Sequence, residues 1–129
     1  MNSRTDRPTC WHPARRYHDF KTYLRNVFGA RVAKLPVIVV AANKLGVINH
    51  LLLSLEHASC NGLTLLGYVL NSLTNQPSLA ADTNREVLVG LTGLPCLGEL
   101  PFNEPGAESA NLLEAELDLR TIELLLGKL

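Results

Sequence analysis

The stretch PVIVVAA, residues 36–42, is apolar without interruption and rich in β-branched side chains. Such a run has no solvated face, so as a strand it belongs inside a sheet with helices over both faces. It stops at NKLG, and from residue 46 the period changes. Ile48, Leu51, Leu52, Leu55 and Ala58 fall on one side of a helix predicted over 46–62, and Asn61-Gly62 supplies its stop. A strand that feeds a helix through a glycine-containing turn is where open α/β proteins meet their ligands.

The same change of period recurs along the chain. LTLLGYVLN, 63–71, predicts a second strand, followed by the polar loop SLTNQPS. Residues 79–92, with Leu79, Asp82, Glu86 and Leu91, predict a second helix. LPCLGELPF, 94–102, contains a third short strand that Pro101 ends, and NEPGAES is a loop. Leu113, Leu117, Ile122, Leu125 and Leu126 predict a last helix over 111–126, broken near Asp118. Upstream, Tyr17, Phe20, Leu24, Val27 and Phe28 predict a helix over 17–29 that Gly29 ends. Alternating helices and strands require parallel strands with right-handed crossovers. The expected class is therefore α/β, a partial doubly wound and mostly parallel sheet with helices on both faces. Three strands make a narrow sheet, half of such a domain, and one side of the 36–42 strand lacks a neighbour.

Charge divides the chain. Residues 1–34 carry eight Lys/Arg against two Asp/Glu, and the remainder carries four against ten. Residues 1–16, with two prolines and no period, read as a disordered basic arm. Residues 17–34 read as a helix and linker of uncertain origin, and 35–129 as the body. Trp11, Tyr17, Phe20 and Tyr23 lie among the basic residues, a composition compatible with nucleic acid. No base-reading motif accompanies them, so a nucleic-acid partner is not expected.

The cysteines, Cys10, Cys60 and Cys96, form no CxxC pair. Neither zinc nor a disulfide is expected, and Cys60 and Cys96 read as small core residues. Cys10, His12 and His18 lack a fourth ligand, so no metal site is expected. His50 and His57 stand one helical face apart with nothing to complete a triad, and read as structural. The longest apolar run is about eight residues, short of the roughly 20 a membrane helix needs. No membrane partner is expected, and a cytoplasmic setting is.

LPVIVVAANKLGVINHLLLSLEHASCNGLTLLGYVLNSL followed by LTGLPCLGELPF resembles the C-terminal half of the dethiobiotin synthetase family, over about residues 35–126. That family closes the ureido ring of dethiobiotin from 7,8-diaminopelargonic acid, CO2 and ATP with Mg2+. The resemblance implies a homodimer in which Leu45, Gly46, Val47, Ile48 and Asn49 receive the substrate's tail carboxylate across the interface. The first N–H groups of a helix lack intrahelical partners and attract anions. It also implies that Asn71 reads the adenine edge, for which an amide offers both donor and acceptor. Ser72 follows it. Pro101, Phe102 and Asn103 would lie along the base, and Glu108 would contact the nucleoside.

The departures from the family pattern are as informative. No G-x-x-x-x-G-K-[ST] loop, nor the family's shorter-spaced form, occurs in the 129 residues. The family's Mg2+ carboxylates and the lysine beside the reacting amine also lack counterparts in residues 1–34. The expectation is a truncated form without catalytic residues, inactive alone, in which ATP and Mg2+ are implied only by resemblance. A separate chain carrying the phosphate-loop half is the other partner implied. The alternative is a non-catalytic subunit or remnant that binds a nucleotide or a partner through its open sheet edge.

Overall fold

The computed structural model describes residues 29–104 and 109–129. Its elements are β1 (Val37–Ala42), α1 (Val47–Cys60), β2 (Leu65–Asn71), α2 (Leu79–Leu91), β3 (Cys96–Leu100), α3 (Ser109–Glu116) and α4 (Leu119–Leu126). The strands lie in the order β1-β2-β3, and both pairs are parallel, as alternation of strand and helix requires. Residues 29–33 are helical, so Gly29 does not end a helix there. The rest of the helix expected over 17–29, and the basic arm, lie outside the described residues.

Two apolar clusters sandwich the sheet. One joins Val47, Leu51 and Leu55 of α1, Leu88 of α2, and Tyr68 and Leu70 of β2. The other joins Leu66 and Val69 of β2 and Leu97 of β3 with Ile122 and Leu125 of α4. Helices thus lie on both faces of the sheet, but β1 is an edge strand of the described sheet and not an inner one: none of its residues is fully buried, and the second face of PVIVVAA is left bare at Val40. Val47 replaces Ile48 as the deepest residue at the start of α1, because Ile48 is only half-buried.

Each strand pair carries a bulge. Val37 pairs with Leu65 but Ile38 pairs with Gly67, which leaves Leu66 unpaired; Leu97 is left over in the same way between β2 and β3. A bulge shifts the alternation by one residue, which puts Leu66 and Val69 on the same face. Gly67 lies where this packing is tightest. A Cβ there would meet the Pro95 carbonyl at 2.5 Å and Leu97 Cγ at 2.9 Å.

The last helix breaks at the expected place. Leu117 forms an antiparallel bridge with Gly98, the Asp118 N–H donates to the Leu97 carbonyl (2.8 Å), and Asp118 caps α4. This segment covers the outer edge of β3. No described strand pairs with the outer edge of β1, where Val40 is 61% exposed. Cys96 is a half-buried free thiol, and burial raises its pKa. Cys60, expected free, is half-buried at the end of α1 and disulfide-bonded. Among the described residues, no helix is long and apolar enough to cross a membrane.

Candidate functional site

The carboxyl ends of the three strands and the helix starts that follow them define the site. Beyond β1 the Asn43 N–H donates to the Asn71 carbonyl at 2.7 Å, and beyond β2 the Ser72 N–H donates to the Leu100 carbonyl at 2.9 Å. These bonds extend each ladder by one residue and hold Asn43, Ser72 and Pro101 side by side. Together they line a cleft of about 450 Å³ whose other walls include Asp82, Glu99 and Glu116.

The turn into α1 is built by backbone geometry and two amides. Gly46 has φ +89°, the left-handed region that glycine enters without strain. The Val47 N–H donates to the Lys44 carbonyl at 3.1 Å, and no side chain caps the helix. Asn84 of α2 donates its amide to Asn43 Oδ1 (2.9 Å) and to the Lys44 carbonyl (3.2 Å), while the Asn43 amide donates to the Ala81 carbonyl (3.2 Å).

Of the predicted base-side residues, Ser72 and Pro101 line the cleft. Asn71 is half-buried at the end of β2, and Phe102 and Asn103 are exposed in the segment after Pro101; none of these three is in the wall. Glu108 lies outside the described residues. Of the predicted carboxylate residues, Leu45 (84% exposed), Gly46 and Asn49 face solvent, Ile48 is half-buried, and Val47 is core. The Val47 side chain is thus committed to packing and its N–H to the Lys44 carbonyl, so neither is open to a ligand. A second, smaller hollow, about 190 Å³, opens at the bare edge of β1 beside Lys44, Val47, His50 and Ser54. Leu45, Gly46, Ile48 and Asn49 do not line it. His57 makes contact with Asn61, its Nε2 lying 3.1 Å from the Asn61 amide nitrogen, as a structural histidine would.

Sequence reasoning missed Asn43, Asp82, Glu99 and Glu116 as cleft residues. Asn43 could have been found as the first polar residue after an all-apolar strand. The acids come from three different elements, and nothing in their spacing unites them. They make the cleft acidic. Arg85 Nη1 lies 3.4 Å from Glu99 Oε2 in an exposed pair that contributes little.

This donor set fits one end of a nucleotide. Asn43 and Ser72 offer neutral donors and acceptors, and Pro101 a flat apolar wall, which suit a base. Three carboxylates repel a triphosphate. Among the described residues, no group of three His, Cys, Asp or Glu side chains is placed to hold a metal ion. Among the described residues, the cleft thus offers no cationic group to neutralise phosphates.

A parallel sheet with helices on both faces and a polar cleft at the carboxyl ends of its strands defines the open α/β class, whose members bind ligands at that end of the sheet. An AAA domain family model matches residues 26–109, and the chain belongs to that family, with a dethiobiotin synthetase-like sequence. It is 36% identical over 86 residues to the ATP-dependent dethiobiotin synthetase of Bacillus cereus, covering 67% of this chain and 36% of that protein. The same enzyme of Akkermansia muciniphila is 41% identical over 81 residues, 63% of this chain and 38% of its own length. That of Rhodococcus erythropolis is 40% identical over 74 residues, 57% and 32%. The chain thus spans about a third of the length of these relatives.

Proposed function

We propose that this chain forms the base-reading and tail-carboxylate side of a dethiobiotin synthetase-type site, and that ring closure needs a phosphate-loop half that these 129 residues do not contain. The observation that carries the reading is the cleft: neutral amide, hydroxyl and proline at the strand ends, acidic side chains beyond them, and no phosphate loop in the 129 residues. Phosphoryl transfer needs its charge held by backbone N–H groups, lysine and Mg2+. Within this reading Asn71, Ser72, Pro101, Phe102, Asn103 and Glu108 serve the nucleoside. Leu45, Gly46, Val47, Ile48 and Asn49 serve the tail carboxylate of a homodimer partner's substrate. The setting is cytoplasmic.

The test is direct. The purified chain, given 7,8-diaminopelargonic acid, bicarbonate, Mg2+ and ATP, should form neither ADP nor dethiobiotin above background. Turnover by the chain alone would overturn the reading. The second reading, a non-catalytic partner-binding subunit, is favoured by the bare outer edge of β1, where Val40 is exposed.

A further inference from the structure

Asn84 is a buried amide, 3% exposed, on α2. A buried amide is costly unless its hydrogen bonds are made. Asn84 makes two, and both acceptors belong to the turn that leaves β1: Asn43 Oδ1 and the Lys44 carbonyl. From there the bonds divide. The Asn43 N–H continues to the carbonyl of Asn71 at 2.7 Å, and the Lys44 carbonyl also accepts the Val47 N–H at 3.1 Å, closing the turn into α1. The Asn43 amide meanwhile returns to the Ala81 carbonyl of α2. One side chain is thus tied to the end of β2 and to the first turn of α1, regions separated by more than twenty residues of chain.

We propose that Asn84 is a positioning residue that holds Asn71 and the start of α1 in one arrangement, so that binding at the nucleoside side is felt at the carboxylate side. This rests on the roles given above to Asn71 and to residues 45–49. Asn84 touches neither ligand. It acts through Asn43 and the Lys44 carbonyl, both of which lose a donor if it is replaced. An apolar residue of similar size could fill its space but could not hold the turn to α2. Coupling between two sites requires an element that both share, and the 43–46 turn is such an element.

The experiment titrates adenosine into the full-length chain and follows backbone amide resonances by NMR. In the wild-type chain the Asn71 and Ser72 amides should shift, and those of Val47, Ile48 and Asn49 should shift with them. In Asn84→Leu, which keeps the volume and removes the donors, Asn71 and Ser72 should still respond. The response of Val47, Ile48 and Asn49 should then fall by about fivefold or more. An undiminished response in this variant would overturn the proposal, because a packing role alone survives the substitution. A wild-type chain in which Asn71 shifts but α1 does not would overturn it too, and would leave the nucleoside reading standing. A wild-type chain unresponsive to adenosine would overturn both. If Asn84→Leu does not fold, Asn84→Ala removes the same two donors without adding an apolar branch and leaves the cleft residues untouched, and the same outcomes apply.

Discussion

Gly98 of β3 bridges to Leu117 so closely that a Cβ on Gly98 would lie 3.0 Å from Leu117 Cδ2 and 2.5 Å from the Glu116 carbonyl. Backbone cannot swing aside as a side-chain tip can. The 117 segment must therefore move away from β3 if any other residue is placed there. Gly98→Ala should destabilise the chain by about 1–3 kcal/mol, the usual cost of overpacking. Gly90, near the end of α2 with open space around its Cα, is the control. Gly90→Ala should stabilise by about 0.5–1 kcal/mol through helix propensity and a less flexible unfolded chain. Urea midpoints of the two variants should move in opposite directions. Equal shifts would show that the close approach at Gly98 does not matter.

The glycine contrast also marks how much the sequence alone could tell. The parallel sheet was legible because each apolar run is followed by a helical period; that Val40 of PVIVVAA would face solvent at the sheet edge was not. The break at Asp118 was legible because Asp is a strong cap. The bulges at Leu66 and Leu97 were not. Leu65 and Leu66 are both leucine and both faces are covered, so a one-residue slip leaves no trace in the apolar pattern. The role of Asn84 was hidden for a related reason. It looks like a polar residue of an amphipathic helix, and its two acceptors in the turn after β1, Asn43 Oδ1 and the Lys44 carbonyl, make its burial tolerable. Ser72 and Pro101 meet in the cleft as their places at strand ends implied. The acids opposite them converge only in the fold.

Tyr68 is fully buried, and its hydroxyl has no hydrogen-bond partner among the described residues. Burial pushes the phenol pKa up; the Thr92 hydroxyl opposes this but does not reach hydrogen-bond geometry, its own proton going to the Leu94 carbonyl at 3.0 Å. A hydroxyl left unsatisfied in the core costs free energy that its removal recovers. Tyr68→Phe should therefore be neutral or stabilise by up to about 1 kcal/mol. A clear loss of stability in urea would mean that the hydroxyl has a partner after all.

Asp118 caps α4 by accepting the Thr121 hydroxyl at 2.6 Å and the Thr121 N–H at 3.0 Å. These bonds, the hydroxyl first, hold its carboxyl below the ordinary value of 3.8. A group whose pKa is lower in the folded state contributes stability above its unfolded pKa and loses it as pH falls through the folded one. The wild-type chain should thus melt above Asp118→Ala at pH 7, and the gap should close in acid below the carboxylate range. A gap that is constant with pH would point to packing, not to the charged cap.

Asn71 is the residue on which the nucleoside reading depends, and its partners limit what can bind. Adenosine should bind the full chain weakly. A few hydrogen bonds and one apolar wall give about 3–5 kcal/mol net, which corresponds to millimolar affinity. ATP should bind no better, because its triphosphate would enter a cleft lined by Asp82, Glu99 and Glu116, and the nearby Arg85 is already beside Glu99. Lower salt should weaken ATP relative to adenosine, since less screening strengthens that repulsion. Asn71→Ala should abolish what binding there is, because the base edge loses a paired donor and acceptor. Titrations of adenosine and ATP against both chains, followed by NMR, decide the matter. A preference for ATP of about tenfold or more, worth roughly 1.4 kcal/mol, would require phosphate contacts that these residues do not supply. Undiminished binding in Asn71→Ala would move the base elsewhere on the sheet edge.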